Sequence, residues 1–194
     1  MMPGTHFLAS WMIANTKRLG RADIAAIVVA GVIPDLDGIG YPVQWLSPTH
    51  PWYTDYHHVI GHNLWVALLV TFLVLLWRRK LVVALLAFVA FHVHLLCDLV
   101  GSGGLHGEPW PILYLWPLSN KETLVTWQWP LDSPINMAIT LILEVAMLVL
   151  AVRRGYSPIV LFSPRADQYV FRLVGRAKLG RPPKPPVVPK QIER

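Results

Sequence analysis

The sequence has a single cysteine, Cys97, and only 14% of its 194 residues are Asp, Glu, Lys or Arg. One cysteine excludes an intramolecular disulfide and a thiolate-based zinc site. The shortage of charge, beside 54% hydrophobic residues and a positive mean hydropathy, exceeds what an ordinary soluble domain carries. Also missing is a basic stretch ahead of the first apolar run, which already contains His6, Ser10 and Asn15. The N-terminus therefore lacks the pattern of a cleaved signal peptide and is expected to stay in the mature protein. Acidic residues are few, 11 against 17 Lys and Arg, for a net charge of +6. The basic excess sits in short clusters beside apolar runs and in a Pro-rich tail, which suits anionic lipid headgroups better than nucleic acid. No internal repeat is apparent.

What is present is hydrophobic length. Residues 64–77, 81–100 and 135–152 are weakly charged runs that approach the ~20 residues needed to cross a bilayer. Two shorter apolar segments, 6–15 and 24–33, precede them and read as tilted, re-entrant or sheltered helices. The fold expected is all-α, a polytopic membrane helix bundle of about five segments, two short and three long. Residues 38–56 and 101–133 are Gly-, Pro- and aromatic-rich loops, the second holding Trp110, Tyr114, Trp116, Trp127 and Trp129, as an interfacial aromatic belt would. Residues 1–154 form the membrane-embedded domain, 155–180 a basic, interfacial segment, and 181–194 a Pro-rich tail expected to be disordered.

Alternating spans put Lys17 to Arg21, Arg78 to Lys80, Arg153-Arg154 and the basic tail on one side. By the positive-inside rule that side is cytoplasmic, giving a multi-pass protein of the inner membrane with its N-terminus out and C-terminus in. The opposite face receives His6, Asp35, Asp37, His57, His58, His62, Asp98 and His106, with His92 and His94 within two turns of it.

Ionisable groups in or beside membrane spans are costly, and those retained usually pair, line a wet cavity or bind an ion. His94 and Asp98, four apart on a helix, share a face and are a nitrogen and oxygen ligand pair, or simply a hydrogen-bonded pair. His57, His58 and His62 cluster where the next helix, expected from about Gly61 to Trp77, begins, as ligands or as polar caps. Pro34-Asp35-Leu36-Asp37-Gly38 places two carboxylates where a helix ends, as ligands or as a solvated turn. Four segments thus deliver ligands to one membrane face. A set of His and Asp without thiolate suits a divalent metal, zinc first, with manganese or iron also compatible, as two or three ions that activate water and hold the oxygens of a phosphoester.

His6, Pro34-Asp35-Leu36-Asp37, His57 with His62-Asn63, His94-x-x-x-Asp98, and the downstream Gly104 and Trp116-Pro117 follow an order that resembles the YdjM-like inner-membrane metal-dependent hydrolases, over roughly residues 5–120. The resemblance implies a helical membrane protein with a metal centre, distantly similar to zinc-dependent phospholipase C and the S1/P1 nucleases. Carried over by position, it makes His6, Asp35, His57, His62, His94 and Asp98 the candidate metal ligands, with Asp37 as a ligand or a support to one. The family pattern His-Arg-Gly-x-Thr-His-Ser reads His57-His58-Val59-Ile60-Gly61-His62-Asn63 here, so His58 stands where an arginine would clamp phosphate. The Thr-Pro that follows the aspartate in the family is replaced by Val100-Gly101-Ser102-Gly103-Gly104.

The function this supports is a membrane-bound hydrolase in which metal-activated water attacks a phosphoester, a lipid or a small molecule, at the outer membrane face. Asp37 and His58 are its candidate catalytic groups, Asp37 as proton acceptor. The alternatives are a non-catalytic metal-binding membrane protein or divalent-ion transporter, or a structural protein whose histidines are caps. His92 is expected to touch a neighbouring helix, Glu144 to be buried mid-span and bonded to another helix, and His106 and Glu108 to be exposed loop residues.

Overall fold

The computed structural model describes residues 1–47, 49, 51–104 and 108–179. His106 and the Pro-rich tail lie outside the described residues. The chain divides into two compact units, Met1–Val145 and Ala146–Arg194.

Among the described residues the regular elements are all helical. They are α1 (Pro3–Ala14), α2 (Arg21–Val32), a 3-10 helix (Ile33–Ile39), α3 (Gly40–Leu46), α4 (Trp52–Tyr56), α5 (Leu64–Arg78), α6 (Leu81–Gly101), α7 (Pro134–Arg154), α8 (Ile159–Phe162) and α9 (Pro164–Leu179). Two are long and apolar enough to cross a membrane, α6 and α7. The helix expected to begin near Gly61 begins instead at Leu64 and is 15 residues long. Asn63 explains the shift. Its side chain accepts from the Val66 amide at 3.0 Å as an N-cap and donates to the Val59 and Ile60 carbonyls, so residues 59–62 are held as a turn outside the helix.

Lipid supplies no hydrophobic force between helices, so close packing must come from small side chains. Helix α6 shows how. Val83, Ala84, Ala87, Ala90, Phe91, His94, Leu95 and Asp98 are all buried and recur at helical spacing, so one stripe packs small residues at one end and carries His94 and Asp98 at the other. Gly31 of α2 lies where α1 and α6 meet it. A Cβ there would collide with the Ser10 side chain and stand 3.2 Å from that of Ala90. The outward face of α5 is the reverse, with Trp65, Leu68, Leu69, Phe72, Leu73, Leu76 and Trp77 exposed. An apolar surface of that extent suits lipid rather than water.

An ion-pair cluster ties the other end of these helices. Asp23, buried in the first turn of α2, accepts from Arg78 Nε and Lys80 Nζ, each at 2.8 Å, which joins α2 to the turn between α5 and α6. Helix α7 meets α1 through the Thr5 and Thr140 hydroxyls, 2.7 Å apart. Glu144, expected to be buried, is exposed on α7 because the helix presents Leu141, Ile142 and Val145 outward beside it. In the second unit, Asp167 Oδ1 accepts from the Ser157 amide and hydroxyl at 2.9 and 2.6 Å, bracing the turn ahead of α8.

Candidate metal centre

The 3-10 helix begins where α2 stops, and Pro34 at its start fits a turn in which no helical amide is needed. Its tight winding carries Asp35 and Asp37 toward the C-terminal end of α6. The turn after α4 brings His57, His58 and His62 to the same place, and the first turn of α1 brings His6. Asp98 is the hub. Its Oδ1 lies 3.1 Å from His6 Nε2, and its Oδ2 lies 2.9 Å from His94 Nε2 and 3.3 Å from His62 Nε2. Asp35 Oδ1 approaches His94 Nε2 at 3.5 Å, and the His6 and His94 rings stack at 3.6 Å. The Met1 ammonium also contacts Asp98.

Two sets of ligand atoms come within 4.8 Å of one another: His6, Asp35, His94 and Asp98 in one, His57, His58 and His62 in the other. His62 joins them. Every candidate ligand, with Asp37 and His58, therefore falls in one continuous cluster. His92 does not; its Nε2 pairs with the Tyr114 hydroxyl at 2.9 Å and its Nδ1 with the Phe88 carbonyl. Glu108 is exposed.

The protons of the cluster are what make it informative. His94 Nδ1 is 2.8 Å from the Gly31 carbonyl, which only a ring N–H can satisfy, so in the neutral ring Nε2 is a bare lone pair. His62 Nδ1 likewise donates to Asp37 Oδ2 at 3.0 Å. The two Nε2 atoms then face each other at 3.3 Å, beside Asp98 Oδ2, which makes no hydrogen bond of acceptable geometry. Three acceptors converge with no donor. Only a cation among them, a proton or a metal ion, relieves that arrangement. His6 Nδ1, Asp35 Oδ2 and His58 Nδ1 are also buried without a hydrogen-bond partner, so the residues present fit a divalent ion.

Asp37 stands behind His57 and His62. Its Oδ1 accepts from His57 Nδ1 at 2.6 Å, and its Oδ2 from His62 Nδ1 and from the Gly61 amide, both at 3.0 Å. Metal-ligating histidines commonly donate their second N–H to such a carboxylate. Burial would raise Asp37, but the two histidines hold it well below the ordinary carboxylate range. With both oxygens engaged and so low an affinity for protons, Asp37 is poorly suited to the proton-accepting role read from the sequence. Burial would lower His62, yet the Asp37 and Asp98 carboxylates beside it raise it above the usual histidine value. His58 is held well below that value by burial and by the neighbouring His62. It also sits in the left-handed region at φ 68°, which few residues other than glycine adopt.

Several contributors carry no signal of their own in the sequence. The Gly31 carbonyl and Gly61 amide are backbone groups. A Cβ on Gly61 would collide with the Pro34 carbonyl and meet Asp37 Oδ2 at 3.0 Å, so this glycine is needed for the close approach. Tyr53 stacks on His57 at 4.6 Å, and burial together with Asp35 pushes its hydroxyl up to about 12. Trp110, read as part of an interfacial belt, packs on His58 at 4.6 Å instead. Gln128 holds that loop to α6, donating to the Asp98 carbonyl at 2.8 Å and accepting from the Trp110 amide at 2.6 Å. A cavity of about 280 Å³ opens on the cluster, bordered by Asp35, Tyr53, His57, His58, Asp98 and Trp110.

No curated protein and no solved structure matches the chain. A family model described as YdjM inner membrane protein matches residues 1–176.

Proposed function

The chain belongs to the YdjM inner membrane protein family, and on that footing we propose that it is a metal-dependent phosphoester hydrolase working at the outer membrane–water interface. The observation that carries the reading is the convergence of His62 Nε2, His94 Nε2 and Asp98 Oδ2, three acceptors with no donor among them when the rings are neutral. His6, Asp35, His57, His62, His94 and Asp98 would hold the ion, with zinc favoured by the histidine-rich set and His58 available beside them. A divalent ion supplies a Lewis acid that lowers the pKa of water and offsets charge developing on phosphoryl oxygens.

The chain's own groups do the rest. The Gly31 carbonyl and Asp37 fix the tautomers of His94, His57 and His62, so that each presents Nε2 without reorganisation. Asp35 borders the cavity; with its Oδ1 turned to His94 and the ion, its Oδ2, which has no hydrogen-bond partner, is left, rather than Asp37, to take the proton of the attacking water. His58, buried and uncharged, offers Nδ1 to a substrate oxygen in place of the arginine that the family pattern has.

The five-segment arrangement with the N-terminus outside is part of the same reading. The cluster lies at one end of α1, α2 and α6, and Arg78 and Lys80 lie with Asp23 at the other. That separation supports a cytoplasmic basic face and an outer metal centre. A transporter would ask for ionisable groups along a path through the bilayer. Glu144 is exposed on α7 and His92 is engaged by Tyr114, which favours hydrolysis over transport.

The test is hydrolysis by purified protein of a chromogenic phosphodiester and of a phospholipid. Activity that requires added divalent metal and disappears in His94→Ala and Asp98→Ala is expected. Stoichiometric metal binding with no hydrolysis of either substrate would refute the reading.

A further inference from the structure

A second and larger cavity, about 580 Å³, is bordered by Asp37 but by none of the histidines. Its walls come from the 3-10 helix, α3, α4, the turn before α5 and the first turn of α5, through Leu36, Ile39, Val43, Trp52, Ile60 and Val66. The one carboxylate that borders it, among the described residues, is Asp37, and both its oxygens are already engaged by His57, His62 and Gly61. A polar ligand would therefore lose its hydration here and gain little in return. The volume falls within the ~300–1,000 Å³ of ordinary ligand sites.

We infer that this cavity receives an acyl chain of a membrane lipid, held so that the lipid's polar end faces the histidine–aspartate cluster across Asp37 and Gly61. Continuity with the lipid-facing surface singles out that occupant. Val66 belongs to α5, whose neighbouring Leu68, Leu69, Phe72 and Leu73 are exposed, so the cavity opens beside a helix face that suits hydrocarbon. Leu36 and Ile39 of its lining, with Trp45 and Leu46 further along α3, are 67 to 76% exposed, an apolar surface that would be unfavourable in water and is natural at headgroup depth. The two cavities then divide an amphipathic substrate between them, chain on the apolar side and phosphoester on the side of Asp35, His57 and Asp98. The assignment of the chain's polar end rests on the hydrolase reading; the acyl site itself does not.

The test uses the full-length protein in bilayer nanodiscs containing a phospholipid with a photoreactive diazirine on one acyl chain, with adducts mapped by mass spectrometry. Adducts within residues 33–43 and 52–66 are expected, falling several-fold in Ile60→Trp and in Val43→Trp while bound metal is unchanged. Val43 is 43% exposed on α3 and tolerates a larger side chain, so the second variant serves if the first fails to fold. Labelling confined to the outward faces of α5, α6 and α7, or cavity labelling untouched by both substitutions, would overturn the proposal. Labelling requires no turnover. Cavity adducts without phosphoester hydrolysis would refute the hydrolase reading and keep the acyl site, whereas hydrolysis without cavity adducts would do the opposite.

Discussion

His62 and His94 face each other through their Nε2 atoms at 3.3 Å, although Asp37 and the Gly31 carbonyl each hold a proton on the opposite side of the ring. Two lone pairs so placed repel. Both lie against the buried Asp98 carboxylate, where a positive charge would be stabilised.

Asp37 acts through His57 and His62. Asp37→Ala should leave every candidate ligand in place yet weaken metal affinity by about 10- to 100-fold, the usual effect of losing a carboxylate behind ligating histidines. Competition against a chromogenic chelator measures this, and Asp37→Glu should recover part of the affinity. Unchanged affinity in Asp37→Ala would mean that His57 and His62 are not ligands.

Protons and metal compete for the same site, so stability should depend on pH differently with and without the ion. His62 is raised in the folded metal-free protein by Asp37 and Asp98 against the effect of burial. Its contribution is therefore complete below the ordinary histidine value and is lost as pH rises through the raised one. Asp37 is lowered, so its contribution is complete above the ordinary carboxylate value and is lost only as pH falls through the lowered one. Between these limits the metal-free protein is most stable. Melting curves from about pH 5 to 9 should show the gap between metal-loaded and metal-free protein widening as pH rises. A constant or narrowing gap would count against a shared site.

Asp23 gives an independent check on the opposite end of the helices. Asp23→Asn removes a buried charge that accepts from Arg78 and Lys80, and should cost about 2 kcal/mol in unfolding measurements in detergent. Metal content should not change. Loss of bound metal in this variant would show that the two ends are not separable.

The clustering of these histidines and aspartates was partly legible in the sequence because two of them obey helical spacing. His94 and Asp98 are one turn apart, and Asp35 follows directly on a helix that ends at a proline. Roles were harder to read than positions. Whether Asp37 accepts a proton or orients histidines depends on what lies across from its oxygens, and His57, His62 and Gly61 come to it from more than 19 residues away in sequence. The start of α5 was misjudged because Gly61, His62 and Asn63 directly precede the apolar run without a proline to mark a boundary, while the Asn63 side chain in fact caps the helix after them. Trp110 was taken for an interfacial residue since tryptophan alone does not show whether its ring meets lipid or histidine. Glu144 was expected inside because carboxylates avoid lipid, yet the buried face of α7 is used by Asn136 and Thr140 instead, which bond the Gly101 carbonyl and Thr5.

The central claim is that the cluster around Asp98 is a metal site, and the most direct measurement is elemental analysis of purified full-length protein beside Asp98→Ala, with helix content followed by circular dichroism. Stoichiometric divalent metal in the wild type, lost in Asp98→Ala while helix content is kept, is the expected result. Wild-type protein without bound divalent metal, or the same metal content in both proteins, would contradict the account.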